Sequence, residues 1–192
     1  MEQQTIYLDN AAATRLDERV LEAMTPYYFD TYAVATSQFG YSLGLQAKEG
    51  LETARATIAQ RLNASPDEFV FTSGDAEANN MAIKGVALAL GEKKGRHVIT
   101  TGIEDFPVLY SARSLERQGF QVTNVALDEF GRVDLDALRA AIRPDTILVS
   151  IQAANQEIGT LQDLAAIGAI TREHGVLLHT DASHSFPRVP LD

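Results

Sequence analysis

Side chains able to do chemistry gather in four short runs: Thr72-Ser73-Gly74-Asp75-Ala76-Glu77, Ile103-Glu104-Asp105-Phe106, Ala153-Ala154-Asn155-Gln156-Glu157 and His179-Thr180-Asp181-Ala182-Ser183-His184. The first reads as a tight turn entering a helix, where free backbone amides and the helix dipole could hold a phosphate. An ordinary strand-to-helix turn with Ser73 or Asp75 as N-cap is the competing reading. Asp181 closes the apolar run Val176-Leu177-Leu178. A carboxylate there is costly to bury unless a cationic or protonated group, such as a pyridinium nitrogen, meets it. The plainer alternative is that Asp181 caps a turn.

These runs need elements that bring them together. From Glu68 onward, short β-rich stretches alternate with longer segments of helical period, the pattern of βαβ units on a parallel sheet. Strands are expected over 68–72, 97–101, 122–126, 146–151 and 176–180, with helices over 77–90, 108–118, 134–141 and 164–174. Each of the four runs then follows the carboxyl end of a strand, where open α/β sheets bind ligands. Gly119 and Gly175 stand where a left-handed C-cap is wanted, and Asp134 can cap the helix after Gly131. Upstream, 17–29 and 45–62 read as helices separated by a polar loop over 30–42, and Asn63-Ala64-Ser65-Pro66 is a plausible stop. The expected fold is therefore α/β, a mostly parallel sheet with flanking helices. An N-terminal arm and loop (1–44) precede one folding unit (45–192).

Composition narrows the function classes. The 192 residues are 45% hydrophobic and 22% charged, enough apolar surface for a packed core. Net charge is −10, so a nucleic-acid backbone or an anionic membrane would be repelled, and neither is expected as a partner. No apolar run reaches a membrane-spanning length and the first residues lack a signal-peptide pattern, so a cytoplasmic location is expected. The chain has no cysteine, which removes disulfides, thiolate metal sites and a thiol nucleophile. His97, His174, His179 and His184 show no metal-ligand spacing, and no metal site is expected.

Several separated motifs occur in an order that is specific as a set: Tyr7-Leu8-Asp9-Asn10-Ala11-Ala12, Phe71-Thr72-Ser73-Gly74, Ile147-Leu148-Val149-Ser150-Ile151, Asn155-Gln156-Glu157-Ile158-Gly159 and His179-Thr180-Asp181-Ala182. Together they closely resemble the cysteine desulfurases of the class V aminotransferase group, nearly from end to end. The resemblance implies the large domain of a fold-type-I transferase dependent on pyridoxal phosphate, incomplete in this sequence. It also implies sulfur mobilisation from cysteine for iron–sulfur or thio-cofactor assembly, with the cofactor as electron sink. By resemblance, Asp181 would pair with the protonated ring nitrogen, Asn155 would sit beside the ring and help hold the substrate carboxylate, and Ser73-Gly74 would start the phosphate cup.

Other positions depart from the family pattern. Asp105 stands where the family stacks a histidine on the ring, so an aromatic face is replaced by a negative charge. Ala76 stands in place of the phosphate-binding threonine and Asp75 in place of a small residue, which turns the phosphate cup against an anion. His184 replaces a glutamine that donates to the ring hydroxyl, a softer change because imidazole still donates. In the N-terminal loop, Ala35-Thr36 and Tyr41 stand for the family's Asn-Pro pair and the histidine after it. The Schiff-base lysine and the sulfur-accepting cysteine of the family have no counterpart in this sequence. Lys48, Lys84, Lys93 and Lys94 fall in or after helices, away from the strand ends. The expectation is a split and degenerate subunit completed by a second polypeptide that carries the C-terminal half, with a possible homodimer of the assembled unit. Half of an active split desulfurase, and a non-enzymatic scaffold or remnant, are the alternatives. The resemblance further implies that two later strands insert between the strand ending at Asp181 and the one expected over 68–72.

Overall fold

A computed structural model describes residues 6–36, 40–186 and 188–189. The chain divides into two compact units, one spanning Met1–Phe71 with Leu191–Asp192 and the other Thr72–Pro190. The boundary drawn from sequence at 44/45 lies inside a helix, and the change of unit falls at Phe71/Thr72.

The first unit holds α1 (Glu18–Phe29) and α2 (Ser42–Arg61). Asp17 caps α1 by accepting from the Arg19 amide at 2.9 Å. The stop after α2 is built on Asn63, which takes the left-handed conformation at φ 51°. The strand expected over 68–72 is not found. Pro66–Glu68 forms a short 3₁₀ turn closed by a capping box, in which the Ser65 amide donates to Glu68 Oε2 at 2.8 Å. Phe69 beyond it has extended dihedrals, φ −104° and ψ 127°. Extended backbone becomes a strand only beside a ladder partner, and the described residues offer none; instead Arg55 bonds the Phe69 carbonyl and lies over the Phe71 ring.

The second unit contains α3 (Asp75–Leu90), β1 (His97–Thr100), α4 (Phe106–Glu116), β2 (Gln121–Asn124), α5 (Leu135–Ala141), β3 (Thr146–Ser150), α6 (Leu164–Glu173) and β4 (Leu177–His179). The strands form one parallel sheet in the order β2-β1-β3-β4. Alternation along the strands supplies the two layers. Val98 and Leu148 pack with Ile83, Ala87, Val108 and Leu115 of α3 and α4, whereas Ile99 and Val149 pack with Leu138, Ile167 and Ile170 of α5 and α6. The caps follow the sequence: Asp134 accepts from the amides of Asp136 and Ala137, and Gly119 and Gly175 sit at φ 85° and 65° after their helices. Because the sheet is parallel, the carboxyl ends of β1, β3 and β4 open on one edge, and β4 is an edge strand among the described residues. Leu177 on that strand is 48% exposed. No helix is long and apolar enough to cross a membrane among the described residues.

Candidate functional site

The loops after β1, β3 and β4 are tied into one polar cluster. Asp181 is buried, at 6% exposure, and its two oxygens are divided between neighbours. Oδ1 accepts from the Ser183 amide at 2.9 Å and the Ser183 hydroxyl at 2.6 Å, and Oδ2 accepts from Asn79 Nδ2 at 2.9 Å. Asp181 thus closes a turn on Ser183, the plainer of its two sequence readings, while a helix residue 102 positions away supplies the third bond. Asn79 is itself buried on α3. The sequence did not single it out, because an asparagine inside a helical run signals nothing until the sheet places it opposite a carboxylate.

Asn155 is also committed. Its Nδ2 donates to the Ile103 carbonyl at 2.9 Å, and its Oδ1 accepts from the amides of Glu157 and Ile158 at 2.9 and 3.0 Å. Gln152 Nε2 donates to the same Ile103 carbonyl at 2.8 Å. Beneath this cross-brace lies Glu104, 4% exposed, accepting from the Thr101 hydroxyl at 2.7 Å and the Gln152 amide at 2.9 Å. Burial is the main cause that pushes its carboxyl up to about 7; the two hydrogen bonds oppose the rise and the Asp181 charge adds to it. His179 donates to or accepts from the Ser150 hydroxyl through Nδ1 at 2.8 Å, and burial holds its imidazole below the ordinary range, partly offset by Asp181.

The turn into α3 differs in character. Gly74 occupies the N-cap position at φ 156°, a backbone state rarely open to other residues, and a Cβ there would meet open space. Neither Ser73 nor Asp75 is the N-cap, so that competing reading is corrected: Asp75 is the first helical residue. Glu77 reaches back to accept from the Ser73 amide at 2.6 Å, a bond that holds its carboxyl below the usual range. Asp75 and Glu77 place two carboxylates in the first turn. Ala76 adds no hydroxyl.

The structure brings together two residues that the sequence treated separately. Asp105 caps α4 by accepting from the Phe106 amide through Oδ1 at 2.8 Å, and its Oδ2 meets His184 Nε2 at 3.2 Å. These two positions are separated by 79 residues. Single-sequence reading had no signal for the pairing.

A parallel α/β layer whose strand ends gather a buried carboxylate, a bridging asparagine and a glycine-started helix agrees with the large domain of a fold-type-I transferase that the resemblance implies. The aminotransferase class-V profile matches residues 6–192, and the chain belongs to that family. The cysteine desulfurase IscS of Neisseria meningitidis serogroup A is 49% identical over 187 residues, 97% of this chain and 46% of that protein. IscS of Methanosarcina thermophila is 44% identical over 191 residues, again covering 46% of its length. Among solved structures, a NifS-like protein superposes with TM-score 0.93 at 38% identity, covering 98% of this chain and 52% of the other. SspA in complex with cysteine gives 0.89 at 39% identity, with 98% and 53% covered. The chain spans about half the length of the curated relatives it matches and aligns with their N-terminal portion.

The family depends on pyridoxal phosphate, and the two sides of the site fit that group unequally. On the ring side, Asp181 is a buried, oriented carboxylate and Asn155 stands nearby on the braced loop. At the turn where the resemblance would place the phosphate, α3 carries Asp75 and Glu77, and Glu77 already accepts from the Ser73 amide, a setting that favours a cation over an anion.

Proposed function

We propose that this chain is the N-terminal half of a cysteine desulfurase-like unit and works as a split and degenerate subunit. A second polypeptide supplies the segment that carries the lysine and the sulfur-accepting cysteine. The role is sulfur mobilisation for iron–sulfur or thio-cofactor assembly in the cytoplasm, and a homodimer of the completed unit fits the same reading. The observation that carries the degenerate part is the site's division. The Asp181–Asn79 floor is intact, while Asp75 and Asp105 put negative charge at the family's phosphate and stacking positions. The open edge at β4, with Leu177 exposed, supports the need for a further strand.

When bound, pyridoxal phosphate supplies an electron sink. This chain's part would be to orient: Asp181 would meet the protonated ring nitrogen, and Asn155 holds the loop that would flank it. The intact floor also favours a second reading, half of an active split desulfurase whose altered contacts the other polypeptide offsets. Co-expression with a polypeptide carrying the C-terminal half of a desulfurase separates the two. The degenerate reading expects a stable complex with little Schiff-base absorbance after pyridoxal phosphate is added. A stoichiometric Schiff-base band with alanine release from cysteine establishes the active one, and a stable native monomer that ignores the added polypeptide defeats both.

A further inference from the structure

One rung of the sheet beyond β1 is made by a side chain. Along β3 and the residues after it, the backbone amides alternate between the two neighbouring strands. The Ile151 and Ala153 amides donate to the His179 and Asp181 carbonyls at 3.0 and 2.8 Å, so the Gln152 amide between them points to the β1 side. Strand β1 has already ended at Thr100, and the acceptor that Gln152 meets there is Glu104 Oε2, at 2.9 Å. The other carboxyl oxygen accepts from the Thr101 hydroxyl at 2.7 Å, which fixes it from the β1 loop. The same segment braces Asn155: Gln152 Nε2 and Asn155 Nδ2 both donate to the carbonyl of Ile103, the residue before Glu104, and Asn155 Oδ1 holds the amides of Glu157 and Ile158.

The surroundings of Glu104 disfavour its charge. Among the described residues no Lys or Arg pairs with it. Thr101 and Gln152 are uncharged, Asp105 is turned to the Phe106 amide and His184, and His179, bonded to Ser150, is held below its ordinary range by burial. Asp181, which Asn79 of α3 holds, adds to the rise that burial imposes on the Glu104 carboxyl, up to about 7. The protonated carboxyl still keeps both neighbours, because Oε2 accepts from the Gln152 amide and the Thr101 hydroxyl can turn to accept.

We infer that Glu104 is a positioning residue for Asn155: its carboxyl stands in for the missing β1 carbonyl, holds the brace between the two loops closed when protonated, and lets it open as the proton leaves. The direction follows from hydration. Opening returns the carboxyl to water, so the ionised form favours the open brace and the neutral form the closed one. The consequence for a ring or substrate flanked by Asn155 rests on the proposed function. The rung and its pH dependence do not, and they are read in the chain without any ligand.

Amide hydrogen exchange in the ¹⁵N-labelled full chain tests this, with rates corrected for the intrinsic effect of pH. From about pH 5.5 to about pH 8.5, the opening constants of Gln152, Glu157 and Ile158 should rise together by about thirtyfold, as for a carboxyl that titrates at 4.5 when open and about 7 when closed. The Ala137 amide, held by Asp134 on α5, reports an opening that leaves Glu104 buried and should stay flat. E104Q keeps an acceptor for the Gln152 amide, so in that variant the amides should stay protected with no rise across the range. E104A should raise all of them about tenfold at about pH 5.5, and E104Q decides the matter where E104A does not fold. A flat native profile, or the same rise in E104Q, overturns the proton coupling. Unchanged protection in a folded E104A, or a response of Gln152 that Glu157 and Ile158 do not share, overturns the positioning of Asn155.

Discussion

Replacing Glu104 with Gln tests whether the floor of the site carries a buried, proton-binding carboxyl. Glu104 is 4% exposed and its carboxyl is pushed up to about 7 from an ordinary 4.5, chiefly by burial. At about 1.4 kcal/mol for each pH unit, that difference is about 3 kcal/mol of pH-dependent stability. The sign follows from which state holds the proton more tightly. The folded chain does, so the contribution is full below about pH 4.5 and is lost as pH rises through about 7. Glu104→Gln has no proton to lose. It also cannot accept from both the Thr101 hydroxyl and the Gln152 amide, which costs about 1 kcal/mol at low pH. Urea unfolding of both proteins from about pH 5 to about pH 8 should show the native chain falling by about 2.5 kcal/mol relative to the variant. The curves therefore cross, with the variant the more stable at the alkaline end. His179, held below its ordinary range by burial, pulls the other way in both proteins and cancels in the difference. Parallel curves would refute the claim that burial outweighs the two hydrogen bonds.

Asn79→Ala removes the donor to Asp181 Oδ2 and leaves a buried carboxylate oxygen short of a partner, so a loss of about 1–3 kcal/mol in urea unfolding is expected. Asp134→Ala removes the cap of the seven-residue α5 and should cost about 1 kcal/mol, read by the same assay. Leu138→Ala on that helix empties a fully buried position against Ile167 and Ile170, and a loss of about 2–5 kcal/mol is expected by thermal or urea unfolding.

The parts of the fold that were legible in the sequence were those set by local chemistry. Among the described residues, strands β1 to β4 and the six helices fall where hydrophobic period, Gly119, Gly175 and Asp134 put them, to within a few residues. The strand expected over 68–72 failed because pairing is a long-range property, and Ser65-Pro66 with Glu68 started a turn instead, beyond which Phe69 is extended but unpaired. The site divided along the same line. The strand-end runs carrying Asp105, Asn155, Asp181 and His184 were visible, since parallel topology sends such ends to one edge. Their partners were not. Asn79 opposite Asp181, Gln152 over Glu104 and His184 against Asp105 are contacts between segments far apart in sequence, and nothing in either segment alone announces the other.

The proposed degenerate subunit keeps the buried Asp181–Asn79 pair and carries Asp75, Ala76 and Asp105 at the positions that the resemblance assigns to phosphate binding and ring stacking. Pyridoxal phosphate titrated into the chain assembled with a lysine-bearing C-terminal half, followed by Schiff-base absorbance, tests it most directly. The native assembly is expected to bind weakly, and the combined variant D75A/A76T/D105H/H184Q to bind stoichiometrically. Stoichiometric binding by the native assembly, with no gain in the variant, would contradict the account.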